Sequence, residues 1–448
     1  MYVENSCYLR LIRVGKGYLK FTNYLSKLFI DQYSKRSYSQ CKKSVNAFSF
    51  NLVNIVYNNL DTLLFPSKEE HFTDIIIDGR NVSTGIGYRS TIKIRDLLIK
   101  EGIIVWTKGY KIDEKNKASG YIELTDKGRE IILSMVDLDK VNIKPLTSGL
   151  ILKDKDGNHI EFKRSGEAKE MLNVIKDYND FMNTFEVSGA TLDRYSGVLE
   201  LVYDINTNIK RVFLRGDKEF NHYGRFHYDG VSVQSIKSHE RQFLQIDNKW
   251  LKEIDYKSLH PAILYAKEGY SIEDGRDLYS IDIIDNVDLY IDHLAEYREL
   301  YNPNYEPTRN FIKTFTLILL NAKTKTKAIQ AMRKKYNEDA DKRDLDRKFY
   351  SIIDPDYEAI LNKIINHNKE IGKYFCSDAG IKLMNLDSKI MECIIKVFLK
   401  HKKPLLCVHD SILVWEDDVE WAKEVMSEAY EEVVGSKLNC KLEVVERD

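Results

Sequence analysis

LKEIDYKSLHPAILYA, residues 251–266, reads as an apolar strand that ends at Asp255, a short turn, and a helix that begins near Pro261. Proline is tolerated in the first turn of a helix because the N–H group that it lacks would be unpaired there. The pattern therefore predicts a carboxylate at the end of a strand, just before a helix N-terminus. Such a position offers a hard oxygen ligand to Mg²⁺ and backbone N–H groups to a triphosphate. A helix-capping aspartate is the alternative interpretation.

A second stretch, PLLCVHDSILVW at 404–415, contains two apolar strand segments that are interrupted by His409, Asp410 and Ser411. The pattern predicts a β-hairpin whose tip carries these three polar residues. An ionised aspartate between buried strands is costly unless it is paired or binds a metal. An ordinary turn aspartate is the alternative.

Asp255 and Asp410 would repel each other if the fold brought them together, and the pKa of one would rise. Divalent cations remove that penalty. In two-metal sites, ions roughly 3.5–4 Å apart hold both the attacking and the leaving oxygen of a phosphoryl transfer. The two aspartates therefore predict phosphoryl transfer with Mg²⁺ as the cofactor and Mn²⁺ as a substitute.

Between the two aspartates lies TRNFIKTFTLILLNA, residues 308–322, with helical periodicity. Arg309, Lys313, Leu317 and Asn321 recur every four residues and share one drifting helix face. This order of two cations, one apolar residue and one amide suits a helix that grips a triphosphate and packs Leu317 against a base. A solvated basic face is the alternative, and the following KTKTK adds positive charge.

The composition places limits on the partners and on the compartment. The 448 residues include 68 basic and 69 acidic side chains, so the net charge of -1 requires a local basic groove for any polyanion. We find neither a membrane-spanning stretch nor a signal-peptide core. Six scattered cysteines without CxxC spacing indicate a reducing, cytoplasmic compartment.

The N-terminal part of the chain divides into three predicted regions. Residues 1–75 read as a helical region. Residues 76–148 show a helix, strand, turn, strand and helix, the last capped at Thr125, in the order of a winged-helix unit; a small α+β module without a nucleic-acid role is the alternative. Residues 149–190 predict a hairpin and a helix, either a reduced thumb or a connector.

The three segments around Asp255, Arg309 and Asp410 resemble motifs A, B and C of the family A DNA polymerases and the single-subunit RNA polymerases. They also resemble a lineage of small polymerase-like proteins from bacteria and mobile elements. GRF at 224–226 and VQSI at 233–236 are similar to the segment that precedes motif A in that superfamily. The resemblance covers about 220–415 and depends on the order, spacing and context of short motifs.

This resemblance implies an α+β fold, a right-hand polymerase with an antiparallel-sheet palm and helical fingers, preceded by a small winged-helix-like N-terminal region. The palm would comprise 191–270 and 350–448, and the fingers 271–349. The implied roles fall into three groups: metal ligands Asp255 and Asp410 with the Tyr256 carbonyl; triphosphate ligands Arg309 and Lys313, the latter also protonating the leaving pyrophosphate; and nucleic-acid contacts Arg225, Gln234 and His409.

The sequence departs from the superfamily pattern at three positions. Ser411 ends motif C, where the DNA polymerases usually have Glu; a serine at this position resembles the pattern of the RNA polymerases. Asn321 replaces an expected Tyr, and His260 replaces the Glu that screens the sugar 2′ carbon. Since the last two positions face each other across the sugar in the superfamily, we expect a hydrogen-bonded His260–Asn321 pair and a preference for dNTPs.

The leading functional hypothesis is a DNA-dependent DNA polymerase that uses a primer–template and nucleoside triphosphates. DIIIDGR at 74–80 lacks the D-x-E signature, so no proofreading exonuclease is expected. A short thumb would require a processivity or mobile-element partner protein. The alternatives are a primase or small RNA polymerase, a catalytically silent nucleic-acid-binding palm, and template-independent tailing.

Overall fold

The computed structural model describes residues 6–8, 12–13, 18–57, 60, 62–65, 75–82, 87–111, 117–118, 120–141, 144–145, 148–192, 199–202, 205–281, 307–342 and 356–445. The chain is a mixed α and β structure that divides into two compact units. Unit 1 comprises Met1–Ser148 with Glu161–Arg164, and unit 2 comprises Gly149–Ile160 with Ser165–Asp448. The predicted fingers region, 271–349, lies partly outside the described residues.

Unit 1 combines helices with short strands. Its described helices are α1 (Leu19–Tyr33), α2 (Lys35–Tyr57), α3 (Tyr88–Lys100) and α4 (Asp126–Met135). Its described strands are β1 (Ser6–Tyr8), β2 (Ile12–Arg13), β3 (Thr62–Phe65), β4 (Ile75–Ile77), β5 (Arg80–Val82), β6 (Ile104–Thr107), β7 (Tyr110–Lys111), β8 (Lys117–Ala118), β9 (Gly120–Leu124) and β10 (Lys144–Pro145).

A four-stranded sheet in the order β1-β3-β9-β6 organises unit 1, and β3 and β6 both pair antiparallel with β9. The predicted cap of α4 is confirmed, because the Thr125 hydroxyl accepts a hydrogen bond from the Gly128 N–H at 3.0 Å. A Cβ atom at Gly128 would lie 2.2 Å from the Ile103 carbonyl oxygen, so glycine lets α4 pack closely beside the sheet. Phe48, Ile94 and Ile122 belong to the buried core between these elements.

Unit 2 contains the segments with the predicted chemistry. Its described helices are α5 (Glu167–Met182), α6 (Leu259–Lys267), α7 (Pro307–Asn321), α8 (Lys325–Lys342), α9 (Tyr357–His367), α10 (Gly380–His401) and α11 (Val419–Val434). Its described strands are β11 (Leu150–Leu152), β12 (Val187–Leu192), β13 (Leu199–Val202), β14 (Ile209–Phe213), β15 (Tyr223–Tyr228), β16 (Gln245–Ile246), β17 (Lys249–Tyr256), β18 (Leu406–Val408), β19 (Ser411–Trp415) and β20 (Leu442–Val444).

An antiparallel sheet in the order β13-β12-β16-β17-β19-β18, with β20 also paired to β17, forms the framework of unit 2. β17 is its central strand. Side chains of successive strand residues point to opposite faces. Leu251, Glu253 and Asp255 therefore share one face, and Ile254 and Tyr256 point to the other.

The interior of unit 2 is one continuous apolar core that includes Ile254, Phe315, Ile394 and Ile412. Full burial of such a side chain contributes about 1.5–3 kcal/mol to folding relative to its exposure. α10 packs against α5, α6, α7, α11 and β15. The strand that carries Asp255 and the helices around it are therefore held by shared packing.

The hairpin predicted at 149–163 is only partly present. β11 pairs in parallel with β14, and the expected strand partner is reduced to one antiparallel bridge between Lys153 and His159. The turn is formed as expected, because the Asp154 carboxylate accepts hydrogen bonds from the N–H groups of Asp156 and Asn158. The prediction of two flanking strands was wrong because the alternating residues of β11 instead pair with a distant strand.

Candidate active site

Asp255 is the penultimate residue of β17, and its cross-strand partner is Ser411 on β19. After β17 the chain turns through Ser258, whose φ of 56° is left-handed, and α6 begins at Leu259. Ser258 occupies the N-cap position of α6 and makes no side-chain capping hydrogen bond there. Asp255 therefore does not cap this helix, and its carboxylate is available for another role.

Asp410 lies in the two-residue turn between β18 and β19, where Val408 pairs with Ser411. His409, the other turn residue, has a left-handed φ of 57°, a conformation that His adopts more readily than bulky or β-branched residues. The hairpin occurs where the sequence predicts it. Asp410 directly precedes the cross-strand partner of Asp255, so the sheet register brings together two aspartates that are far apart along the chain.

Asp255 is a half-buried carboxylate beside other negative charges. Burial raises the pKa of Asp255, the negative charges of Asp410 and Glu253 add to that rise and Lys313 opposes it; together they bring the pKa to about 7. Its Oδ1 atom is buried and has no hydrogen-bond partner among the described residues. Burying an unpaired carboxylate oxygen is costly. This oxygen, beside Asp410, fits the hard-ligand preference of a divalent cation.

Asp410, Glu253 and Glu443 all act electrostatically on Asp255, but the four carboxylates do not form a closed metal cage. Within the described ranges, no group of three or more His, Cys, Asp or Glu side chains has the geometry to hold a metal ion. The Tyr256 hydroxyl donates to the Met426 carbonyl oxygen at 2.5 Å, away from the strand end. The Tyr256 hydroxyl is therefore engaged within unit 2.

On α7, Lys313 is exposed and acts electrostatically on Asp255. Among the described residues, it has no ion pair and no hydrogen bond. Arg309 is four residues earlier and is half-buried; its Nε lies 2.5 Å from Asp277 Oδ2 and its guanidinium lies 5.4 Å from the Tyr279 ring centre. Lys313 is therefore the cation that α7 presents to the aspartates, and Arg309 is held by a carboxylate.

Leu317 and Asn321, one and two turns beyond Lys313, line a groove of about 560 Å³ between α7 and α8. Four basic residues and one acidic residue also line this groove: Arg215, Lys323, Lys327, Lys335 and Asp378. Its apolar lining includes Ile318, Ala322 and Ala331. The groove is a local basic and apolar surface on a chain with almost no net charge.

The expected His260–Asn321 pair is not formed. His260 Nε2 lies 2.8 Å from the Asp387 Oδ2 atom, and the Asn321 amide donates to the Leu317 carbonyl oxygen at 2.7 Å. Both side chains therefore have other partners in the described structure. The prediction was wrong because the buried carboxylate of Asp387 on α10 takes the imidazole as its hydrogen-bond partner.

Arg225 joins the same cluster. Its guanidinium forms an ion pair with Asp387, and its terminal nitrogen lies 3.5 Å from His260 Nε2. Asp387 is completely buried, and a buried carboxylate requires such pairing. The three residues come from β15, α6 and α10 and form one charged cluster. Arg225, predicted to contact nucleic acid, is instead engaged by Asp387 in this structure.

Gln234 and His409, the other predicted nucleic-acid contacts, lie near this cluster. The Gln234 amide donates to the Phe226 carbonyl oxygen at 3.0 Å. The ring centres of His409 and His227 are 6.4 Å apart in an edge-on arrangement. Burial lowers the pKa of His409, and the positive charge of Arg225 lowers it further.

Sequence reasoning missed Asp387, Glu253 and Arg241. Asp387 had a detectable signal: it occupies a position four residues after Leu383 and four before Met391, within the apolar stripe of α10. An acidic residue in such a stripe requires a buried partner. Glu253 also had one, because it lies between Leu251 and Asp255 on the face of β17 that alternation assigns to all three residues.

No family model and no curated protein matches the chain. Among solved structures, the chain is similar to the POL domain of Pol1 from M. smegmatis, determined in complex with DNA primer-template and dNTP. The identity is 10%, the TM-score is 0.31, and the similarity covers 65% of this chain and 56% of that chain. A TM-score at this level assigns no function.

None of the described helices is both long enough and apolar enough to cross a membrane.

Proposed function

We propose that this protein is a template-directed nucleotidyltransferase, specifically a DNA-dependent DNA polymerase without a proofreading exonuclease. One observation carries the proposal: Asp255 has a buried oxygen without a hydrogen-bond partner among the described residues, beside Asp410 and opposite Lys313. A structural ion pair would satisfy that oxygen within the protein. An oxygen left open beside a second carboxylate and an exposed lysine suits a site that a cation and a polyphosphate complete.

In the proposed reaction, the 3′ hydroxyl of a primer attacks the α-phosphorus of a nucleoside triphosphate and pyrophosphate leaves. Divalent cations, when bound, supply Lewis-acid neutralisation of the charge on the reacting oxygens. Asp255 and Asp410, with the Tyr256 carbonyl, would hold them. Lys313 would bind the triphosphate and donate a proton to the departing pyrophosphate. Positioning and charge neutralisation account for most of such catalysis.

The architecture of unit 2 supports the proposal of a right-hand polymerase. The antiparallel sheet around β17 and β19 would be the palm, and α7 with α8 would belong to the fingers. The groove lined by Leu317, Lys327 and Lys335 has the basic edge and apolar lining that suit single-stranded nucleic acid. It provides the local basic surface that a chain with balanced charge needs.

The cluster of Arg225, His260 and Asp387 supports a preference for dNTPs. Asp387 fixes the imidazole of His260, at the position that screens the sugar in the superfamily. A fixed bulky ring would disfavour a ribose hydroxyl. Ser411 favours the alternative of an RNA-making enzyme, because a serine after the motif C aspartate resembles the pattern of the RNA polymerases.

Unit 1 would supply a second contact with nucleic acid. The order of β3, β9 and β6 in its sheet, with α3 preceding β6, is consistent with a winged helix. α3 exposes Arg89 and Lys93 on its outer face. A helix with exposed cations suits the phosphate backbone of duplex DNA.

The deciding experiment offers purified protein a primer–template, an unprimed template and a lone single strand, each with dNTPs or rNTPs and with Mg²⁺ or Mn²⁺. Primer extension with dNTPs that is lost in Asp255→Ala and Asp410→Ala supports the proposal. De novo products from rNTPs indicate the primase or RNA polymerase. Growth of the lone strand indicates tailing, and binding without synthesis under every condition overturns the enzymatic proposal.

A further inference from the structure

Glu253 lies two residues before Asp255 on the same face of β17 and is almost completely buried. Both of its oxygens accept hydrogen bonds from Arg241, at 2.9 Å from Nε and 2.9 Å from the terminal nitrogen. Paired N–H groups of arginine form strong, directional contacts with a carboxylate. Glu253 is therefore held in one orientation next to the candidate active site.

The same carboxylate also accepts a hydrogen bond from Ser411, whose hydroxyl lies 2.9 Å from Glu253 Oε1. The Ser411 hydroxyl is also 3.1 Å from the Val408 carbonyl oxygen, across the turn. Arg241, Glu253 and Ser411 thus form a continuous chain of contacts, named here the Arg241–Glu253–Ser411 relay. It runs from the 3-10 turn at Ser238–Phe243 to the first residue after Asp410.

The relay ends at Ser411, which lies next to both aspartates. Ser411 is the cross-strand partner of Asp255 and the next residue after Asp410. Its hydroxyl ties the β18–β19 turn to the strand that carries Asp255 through a side chain, in addition to the backbone ladder. A change of this contact would alter the orientation of the Asp410 turn relative to Asp255.

The arrangement also places a third carboxylate beside two others. Glu253 adds negative charge near Asp255, and Arg241 compensates only part of the combined charge of the three. A fold that needed only a buried ion pair would gain nothing from locating it next to two aspartates. Hydrogen-bonded polar and charged groups behind the ligands of a metal commonly orient those ligands.

We propose that Glu253 and Ser411 are positioning residues that set the geometry of Asp255 and Asp410 for a divalent cation, with Arg241 as their anchor. The inference rests on the proposed function. Glu253 does not touch the cation in this arrangement, because Arg241 and Ser411 occupy its oxygens. Ser411, at a position where the DNA polymerases usually have an acidic residue, acts here through the carboxylate of Glu253.

The test measures Mn²⁺ binding to the full chain by electron paramagnetic resonance, without nucleotide or nucleic acid, alongside the midpoint of thermal unfolding. Ser411→Ala removes one hydroxyl and leaves the Arg241–Glu253 pair intact. We expect at least about tenfold weaker Mn²⁺ binding, the usual scale for loss of a group that supports metal ligands. Ser411→Thr, which keeps the hydroxyl, should restore most of the affinity.

Ser388→Ala is the matched control, because Ser388 is a buried serine of unit 2 that bonds Arg211 and not these carboxylates. It should leave Mn²⁺ affinity unchanged. If Ser411→Ala binds Mn²⁺ as tightly as the wild type, or if Ser388→Ala weakens binding equally, the positioning role is overturned while the proposed function stands. A wild-type protein that binds no Mn²⁺ would overturn both.

Discussion

Asp255 on β17 and Ser411 on β19 are cross-strand partners in the central sheet of unit 2. This register determines that Asp410, in the preceding turn, is located beside Asp255. The negative charge of Asp410 in turn contributes to the raised pKa of Asp255. The site that we propose therefore depends on the pairing of two strands whose partners Asp255 and Ser411 are 156 positions apart along the chain.

Replacement of either aspartate should abolish nucleotide addition without unfolding the protein. We expect Asp255→Asn and Asp410→Asn to lower primer extension by about 10³-fold or more, the scale on which removal of a charge-stabilising group affects phosphoryl transfer. Steady-state extension assays with matched circular dichroism spectra check this. Asp417→Asn, an exposed acidic residue of unit 2, is the control and should retain full activity.

The pKa of Asp255 predicts a pH-dependent cost in stability for the metal-free protein. Because its pKa is raised to about 7 in the folded state, the folded protein holds this proton more tightly than the unfolded chain does. The cost of ionisation is absent below the unfolded pKa of about 4, grows as the pH rises to 7 and is complete above it.

Asp255→Asn should therefore be more stable than the wild type at pH 8, by about 1–3 kcal/mol, and nearly equal at pH 4. Urea unfolding in the presence of a chelator measures the difference at each pH. Addition of Mn²⁺ at pH 8 should reduce it, because a cation stabilises only the wild-type carboxylate. A difference that does not vary with pH would contradict the assignment of the unpaired charge to Asp255.

The Asp387–His260 contact should control the choice of sugar. We expect His260→Ala to raise the relative incorporation of rNTPs by about tenfold, because the side chain that crowds the 2′ position is removed. Asp387→Asn should change discrimination in the same direction, since it weakens the contact that fixes the imidazole. Single-nucleotide insertion kinetics with paired dNTP and rNTP substrates measure this, and unchanged discrimination in His260→Ala would remove that residue from the role.

Lys313 should contribute more to nucleotide binding and chemistry than any other exposed lysine of unit 2. Lys313→Ala removes the cation that faces Asp255, so we expect kcat/KM for the nucleotide to fall by about 10²-fold or more. Lys313→Arg should retain part of the activity because it keeps the charge. Lys382→Ala, on the exposed face of α10, is the control; an equal loss there would show that the effect is not specific.

The exposed cations of α3 predict a salt-dependent interaction of unit 1 with duplex DNA. Arg89→Ala with Lys93→Ala should weaken binding of the full chain to duplex DNA and lower the slope of log affinity against log salt by about 1–2, because each lost phosphate contact contributes about 0.9. Fluorescence anisotropy at several salt concentrations measures the slope. Lys42→Ala with Lys43→Ala on α2 is the control. An equal change of the slope in this control would show that α3 is not a specific DNA-binding surface.

The local pattern of the sequence was sufficient for much of unit 2. Strand, turn and helix around Asp255 and the hairpin around Asp410 follow from apolar runs, Pro261 and polar interruptions, which act over a few residues. The cap of α4 at Thr125 was predicted for the same reason. The sequence also placed Arg309 and Lys313 on one helix face, because helical spacing depends only on the chain itself.

The tertiary structure decided the partners of these residues. His260 and Asp387 are 127 positions apart, and Glu253 and Ser411 are 158 positions apart. No short-range pattern encodes such pairs, because the burial of a charge and the choice of its counter-charge depend on which strands and helices pack together. The types of side chain needed for the chemistry were thus visible in the sequence, whereas the choice between a paired and an unpaired carboxylate arose only from the fold.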